Sequence, residues 1–314
     1  MTAAFIDTVH PILMQRLHDA GYACIEPYHA SREELKKLCS GVEGIVIRSR
    51  IQLDRDFLDH CTSLKWIARS GAGMENIDIT YAASKGIHCF NSPEGNRDAV
   101  GEQAIGMLLM LFNNLLRADR EVRNGIWKRE ENRGVELAGK TVGIIGYGPM
   151  GKALAKKLIG FDCKILVHDK YLSGFGTHDI HEVSVEEIQE NADIISFHLP
   201  LTEETHFYFD EDFLAGCSKP LYLINTARGA IVNTDVLLQG LKSGRVLGSC
   251  LDVLEFEQFN FEQLRTDELP AHFRELVASD KVVLSPHIAG WTHESYYKLS
   301  SILADKILEK HPVI

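Results

Sequence analysis

Short apolar runs alternate with amphipathic ones along almost the whole chain. Residues 3–6, 23–25 and 44–47 read as strands, separated by helix-like stretches at 12–20 and 31–39. Ser31 followed by Glu34 forms a capping box, in which a hydroxyl and a carboxylate satisfy the first free N–H groups of a helix. The alternation continues through Phe57-Leu58 and residues 65–67 and 87–90, the rhythm of a parallel sheet flanked by helices. Asn91-Ser-Pro-Glu-Gly95 is turn-rich and suits a hinge. A helical stretch then runs over 97–124, with apolar residues at Val100, Ala104, Met107, Leu111, Leu115 and Ala118. Ile105, Leu108, Leu109, Phe112 and Leu116 widen this stripe beyond one face, which predicts burial between domains or against a second subunit.

After a polar connector containing Trp127, an apolar run from Lys140 enters Gly146-x-Gly148-x-x-Gly151 and then a helix-compatible stretch at 152–158. Strands follow at 164–168, 193–197, 221–225, 246–251 and 281–284, with helices such as 184–190 and 233–242 between them. With the strand before the glycines this gives about six, the count of a dinucleotide-binding sheet. The last segment, 294–310, is amphipathic and lies beyond the final strand. It is expected to return to the first domain and make that domain discontinuous.

Composition narrows the class. The 314 residues favour two domains, and 25% charged with 45% hydrophobic residues is ordinary for a globular chain. A formal charge of -11 argues against a general nucleic-acid binder, which needs a basic face. Seven scattered cysteines without a C-x-x-C pair read as reduced thiols, not as a disulfide framework or zinc site, and no metal is expected. No signal-like start and no bilayer-length apolar run occur, so a cytoplasmic protein without membrane contact is expected.

The glycines carry the first chemistry. Gly146 permits a tight turn, Gly148 lets backbone approach a pyrophosphate, and Gly151 lets the helix pack close to the strand. The helix start offers N–H groups to an anion. Asp169 ends the next strand, roughly 20 residues on, where a carboxylate accepts ribose hydroxyls and repels a 2′-phosphate. NAD is therefore expected over NADP. Ligands of open α/β sheets sit beyond the carboxyl ends of strands. There lie Thr226-Ala227-Arg228-Gly229, Asp252-Val-Leu-Glu-Phe-Glu257 and Ser285-Pro-His287-Ile-Ala-Gly290.

The order G-x-G-x-x-G, Asp, N-T-A-R-G, L-D-V-x-x-x-E, P-H-I-A-G resembles the D-isomer-specific 2-hydroxyacid dehydrogenase family, from roughly Gly44 to Gly290. Arg69-Ser-Gly-Ala-Gly-Met-Glu-Asn-Ile-Asp78, Asn96-Arg-Asp-Ala-Val-Gly-Glu102 and His198-Leu-Pro-Leu-Thr-Glu-Glu-Thr205 add to the likeness. The resemblance implies an α/β fold of two open parallel-sheet domains. A Rossmann NAD-binding domain (97–287) would be inserted into a discontinuous flavodoxin-like substrate domain (1–96 and 288–314).

It also implies roles. Arg228 would hold the substrate carboxylate and carbonyl, His287 would transfer the proton, and Glu257 would orient His287. Histidine is the side chain that titrates near neutrality, and arginine presents a planar, permanently charged fork. Glu255 competes with Glu257, and only the family spacing from Asp252 selects the latter. Cofactor contacts are implied at Gly146, Tyr147, Gly148, Pro149, Met150, Gly151, Asp169, His198, Pro200, Thr205, Thr226, Ala227, Asp252 and Gly290. Substrate contacts are implied at Ser70, Gly71, Ala72, Gly73 and Asn96. Arg48-Ser49-Arg50 resembles the segment that phosphoglycerate dehydrogenases place near a phosphate, with Arg69 and Arg97 as added charge.

The expected activity is NAD-dependent interconversion of a D-2-hydroxy acid and its 2-keto acid, with 3-phosphoglycerate as the favoured substrate. Glycerate, glyoxylate or lactate types, and an NAD(H)-sensing corepressor-like protein, are the alternatives. The resemblance implies a homodimer, for which the stripe from Val100 to Leu116 offers a surface. Two departures stand out: Gln258 replaces the proline usual after the glutamate, and the connector to His287 is long. The chain also stops soon after its last helix, so the regulatory domain of larger phosphoglycerate dehydrogenases is expected to be absent.

Overall fold

The structure is a computed structural model that describes residues 1–257 and 271–313. Gln258 and most of the connector before His287 lie outside the described residues. The chain forms two compact units, one of Met1–Arg97 with residues 291–313, the other of residues 98–257 with 271–290.

In the first unit, β1 (Thr2–Phe5), β2 (Ala23–Ile25), β3 (Gly44–Ile47), β4 (Trp66–Arg69) and β5 (His88–Phe90) alternate with α1 (Pro11–Asp19), α2 (Arg32–Leu38), α3 (Arg55–His60) and α4 (Ile79–Ser84). The strands form one sheet in the order β2-β1-β3-β4-β5, all pairs parallel. That is a doubly wound, flavodoxin-like order. All four residues of β3 are buried, because a parallel sheet covered on both faces takes apolar residues at every position. Phe57 and Leu58 sit in α3, started by the Asp54 side chain accepting from the Phe57 N–H. The last helix, α12 (His293–Lys310), closes this unit. Its Leu303, Ala304 and Ile307 are buried among Phe5, Leu13 and Trp66.

The second unit opens with α5 (Arg97–Phe112) and α6 (Leu115–Arg123). It continues through β6 (Thr141–Ile145), α7 (Pro149–Leu158), β7 (Lys164–His168), β8 (Ile180–Glu182), α8 (Val185–Asn191), β9 (Ile194–Phe197), α9 (Glu211–Gly216), β10 (Leu221–Asn225), α10 (Thr234–Ser243), β11 (Val246–Leu251), α11 (Ala271–Ala278) and β12 (Val282–Leu284). In the first unit, α12 (His293–Lys310) then ends the chain. The second sheet is parallel in the order β12-β11-β10-β9-β6-β7-β8. It has one strand more than the sequence indicated, the short edge strand β8. Strand order reverses about β6, so the glycine loop after β6 stands at the switch point where such sheets bind ligands.

The single helix expected over 97–124 is two helices bent by 60°, with Asn114 between them in the left-handed region at φ 51°. Ala104, Ile105, Met107, Leu108 and Phe112 of α5 are core residues beside Val142 and Ile144 of β6. Most of the wide apolar stripe is therefore consumed inside the unit, and only Leu115 and Leu116 at its end are exposed. Among the described residues, no single helix is long and apolar enough to cross a membrane; α5 and α6 reach that length only as the bent pair.

Candidate active site

The glycine loop has the shape its sequence requires. Gly146 takes φ 98°, where a side chain would be strained, and a Cβ there would lie 2.6 Å from the His198 carbonyl oxygen. At Gly151 a Cβ would fall 2.0 Å from the carbonyl oxygen of Gly146, so only glycine lets α7 sit this close. A Cβ on Gly148 would meet nothing within 4 Å, which leaves open space at the start of α7. Gly148 caps α7 without a side-chain bond, and Pro149 follows at the first helical position. An anion fits there on free N–H groups and the positive end of the helix.

Asp169 follows β7 and faces the same loop. Its carboxylate accepts the N–H groups of Tyr147 at 2.7 Å and of Tyr171 and Leu172 at 2.9 Å each. Burial alone would raise its pKa, but these three donors outweigh burial and hold it below the usual range. An ionised carboxylate keeps lone pairs for ribose hydroxyls and opposes a 2′-phosphate. The Tyr147 ring is buried against Phe175, centroids 4.3 Å apart. Two polar atoms at neighbouring strand ends, His198 Nδ1 after β9 and Thr226 Oγ1 after β10, are buried without a partner among the described residues. Buried polar atoms without partners are rare in folded chains, and a ligand rich in hydroxyl and amide groups would satisfy these two. Burial pushes the His198 imidazole down to about 4. By contrast, the Thr205 hydroxyl already bonds the Pro200 carbonyl at 2.6 Å, so it shapes that turn.

Three residues occupy the ends of the adjacent strands β10, β11 and β12. Arg228 follows β10, with its Nη1 donating to the Ala227 carbonyl at 2.6 Å and its own carbonyl held by Asn225 Nδ2 at 2.8 Å. Glu257 Oε2 lies 2.8 Å from His287 Nδ1. Its Oε1 accepts the Leu254 N–H, which fixes the carboxylate plane. Glu255 is used elsewhere, accepting the Thr234 N–H at the start of α10 at 3.1 Å. Geometry thus pairs His287 with Glu257 through Nδ1.

His287 has φ 55°, an uncommon conformation for a residue with a side chain. Asp252 enforces it. This residue is 0% exposed, and its carboxylate accepts the Ser285 hydroxyl at 2.6 Å and the N–H groups of Ile288 at 2.9 Å and Ala289 at 2.8 Å. Its carbonyl takes the His287 N–H at 2.7 Å. Among the described residues, the carboxylate of Asp252 is occupied in folding the histidine loop.

In the first unit, Ser70-Gly71-Ala72-Gly73 follows β4. Ser70 N–H is taken by Ile47, whereas those of Gly71, Ala72 and Gly73 donate to no backbone carbonyl among the described residues. Such N–H groups are the kind that can take an anion. Asn96 Oδ1 is buried and lacks a partner there. In the Arg48-Ser49-Arg50 segment, the two arginine side chains make contacts within the chain. Arg50 Nη1 donates to the carbonyls of Tyr28 at 2.6 Å and Ala30 at 3.0 Å, and Nη2 to that of Pro27 at 3.2 Å. Its guanidinium therefore holds a neighbouring loop. The Arg48 guanidinium lies 4.3 Å over the Trp291 ring.

A doubly wound sheet with this glycine loop and Asp169 defines a nicotinamide-dinucleotide-binding protein. The family model for the NAD binding domain of D-isomer specific 2-hydroxyacid dehydrogenases matches residues 105–289. Hydroxypyruvate reductase of Thermotoga maritima is 33% identical over 90% of this chain and 89% of that protein. Human D-3-phosphoglycerate dehydrogenase is 30% identical over 96% of this chain, which spans only 55% of that relative. The solved structure of D-lactate dehydrogenase from Aquifex aeolicus, complexed with NAD and lactic acid, superposes with a TM-score of 0.82 at 27% identity, covering 99% of this chain and 96% of that one. The chain belongs to the D-isomer specific 2-hydroxyacid dehydrogenase family. It is an oxidoreductase of that family, with NAD as its cofactor.

Proposed function

We propose that the protein interconverts a short D-2-hydroxy acid and its 2-keto acid through His287, Glu257 and Arg228. The observation that carries this reading is the 2.8 Å contact between Glu257 and His287 at the carboxyl edge of the sheet that bears the glycine loop. When bound, NADH would supply the hydride for reduction and NAD+ would accept it in oxidation. His287 Nε2 gives a proton to the carbonyl oxygen in reduction and removes it from the hydroxyl in oxidation. Glu257 fixes the ring through Nδ1 and stabilises the cation that forms when His287 holds both protons. Arg228 offers its fork to the carboxylate and polarises the carbonyl.

The substrate class follows from what the loops leave available. Arg50 is engaged by three carbonyls of its own chain, which favours a small unphosphorylated acid of the hydroxypyruvate or glyoxylate kind. Interconversion of 3-phosphoglycerate and 3-phosphohydroxypyruvate is the second reading, favoured by the Arg48 cation beyond β3 and by the likeness to phosphoglycerate dehydrogenases. A panel of 2-keto acids and D-2-hydroxy acids, with and without phosphate, followed by NADH absorbance, decides between them. A protein that bound NADH yet turned over none of the panel would overturn the reading.

We also propose a homodimer. Leu115, Leu116 and Val122 of α6 and Ile126 and Trp127 after it are all exposed, a concentration of apolar side chains that water does not favour.

A further inference from the structure

One carboxylate ties together the strand-end loops of the first unit. Asp7 stands just beyond β1, and its Oδ2 accepts the N–H groups of Arg48 at 2.6 Å, Ser49 at 3.0 Å and Arg50 at 3.3 Å. The other oxygen lies 3.7 Å from Arg50 Nε. Successive N–H groups converging on one point form an anion-binding concavity, and here an acid of the chain itself fills it. Arg50 carries the clasp outward to the carbonyls of Pro27, Tyr28 and Ala30. On the opposite side, the Arg48 carbonyl accepts from Asn76 Nδ2 at 3.1 Å and from Arg69 Nε at 3.2 Å. Arg69 then reaches the glycine loop, since a Cβ on Gly71 would fall 1.9 Å from its Nη1. The contacts run from β1 through the loop after β3 to the loop after β4, and these three strands are neighbours.

We infer that Asp7 is a positioning residue for the substrate. Its charge sets the backbone at 48–50 and, through the Arg48 carbonyl and Arg69, the N–H groups of Gly71, Ala72 and Gly73. Only a carboxylate suits the place. Its Oδ2 takes all three N–H groups while Oδ1 faces Arg50 Nε, whereas an amide with its oxygen on those donors turns an NH2 toward the Arg50 cation and loses the charge-assisted bonds. This inference rests on the proposed turnover of a 2-keto acid and on the loop at 70–73 as one of its anchors.

The test is steady-state kinetics of Asp7→Asn, which keeps the shape, and Asp7→Ala, which empties the concavity for added formate. Both should lower kcat/KM for the keto acid on the order of ten- to a hundredfold, because small misplacements of an anchor are costly. The loss should fall mainly on KM, with NADH affinity within about twofold of wild type. Formate should restore part of the KM of Asp7→Ala and leave wild type and Asp7→Asn unimproved. A wild-type KM in Asp7→Asn, or a formate effect equal in wild type and Asp7→Ala, overturns the inference. If Asp7→Ala does not fold, Asp7→Asn decides alone. If neither folds, Arg50→Lys decides, with a raised KM expected and a wild-type KM overturning it. Wild-type protein that reduces no keto acid defeats the functional reading; an active wild type with an unaltered Asp7→Asn defeats this inference only.

Discussion

His287 depends on two acids that do different things. Glu257 touches its ring, whereas Asp252 holds the loop around it through the Ile288 and Ala289 N–H groups and the Ser285 hydroxyl. Substituting His287 by Ala should lower kcat by about a hundred- to ten-thousandfold, the usual worth of a placed acid-base group. NADH binding, followed by fluorescence titration, should change little; a large loss of NADH affinity would assign the residue to the cofactor instead. His198 makes a separate prediction about pH. Burial holds it near 4 in the folded chain against 6.5 in its ordinary state. Above pH 6.5 it is neutral whether folded or unfolded. Between 6.5 and 4 the unfolded chain takes a proton that the folded one refuses, so stability falls across that window, by on the order of 3 kcal/mol at most. Melting temperature should therefore drop more steeply from pH 7 to 4.5 in wild type than in His198→Asn, and equal slopes would remove this account.

At the scale of elements, the unit from β6 through the glycine loop to α7 was legible because each glycine answers a local demand. Gly151→Ala tests the tightest of them. The added methyl would lie 2.0 Å from a backbone oxygen, so strand or helix must move. A lower melting temperature and NADH affinity reduced by about tenfold or more are expected, since close backbone approach organises the phosphate site; unchanged NADH binding would show that the loop tolerates the shift. Less was legible where distant partners decide. Strand β8 has three residues, only one of them buried, and so lacks a periodic signature. The break at Asn114 falls inside an unbroken apolar pattern, because that pattern reports the burial of α5 and not the direction of the chain. Arg50 looked like a phosphate ligand in sequence, yet its partners lie 20 to 23 positions earlier. Asp7 carried no motif at all.

For the molecule as a whole, the alternation of strands and helices gave the class of fold, and the return of the last helix to the first unit followed from its place beyond the final strand. The surface offered for association needed correction. The residues that form the stripe on α5 pack inside their own unit, while Trp127, 77% exposed, and the leucines of α6 face outward. Light scattering at micromolar concentration should give twice the chain mass, and Leu116→Glu with Trp127→Ala should shift it toward the monomer. A monomeric wild type would contradict the proposed homodimer.

The clasp made by Asp252 separates shape from identity in the histidine loop. Beyond the Ser285 hydroxyl, it binds the loop at 288 and 289 through N–H groups that every residue but proline possesses. Ile288 contributes its N–H to that clasp while its side chain is 40% exposed. A protein engineer can therefore vary the side chain at 288 without dictating the path of the backbone beside it. The freedom to redesign this edge is written one strand away, in a residue that never meets the solvent.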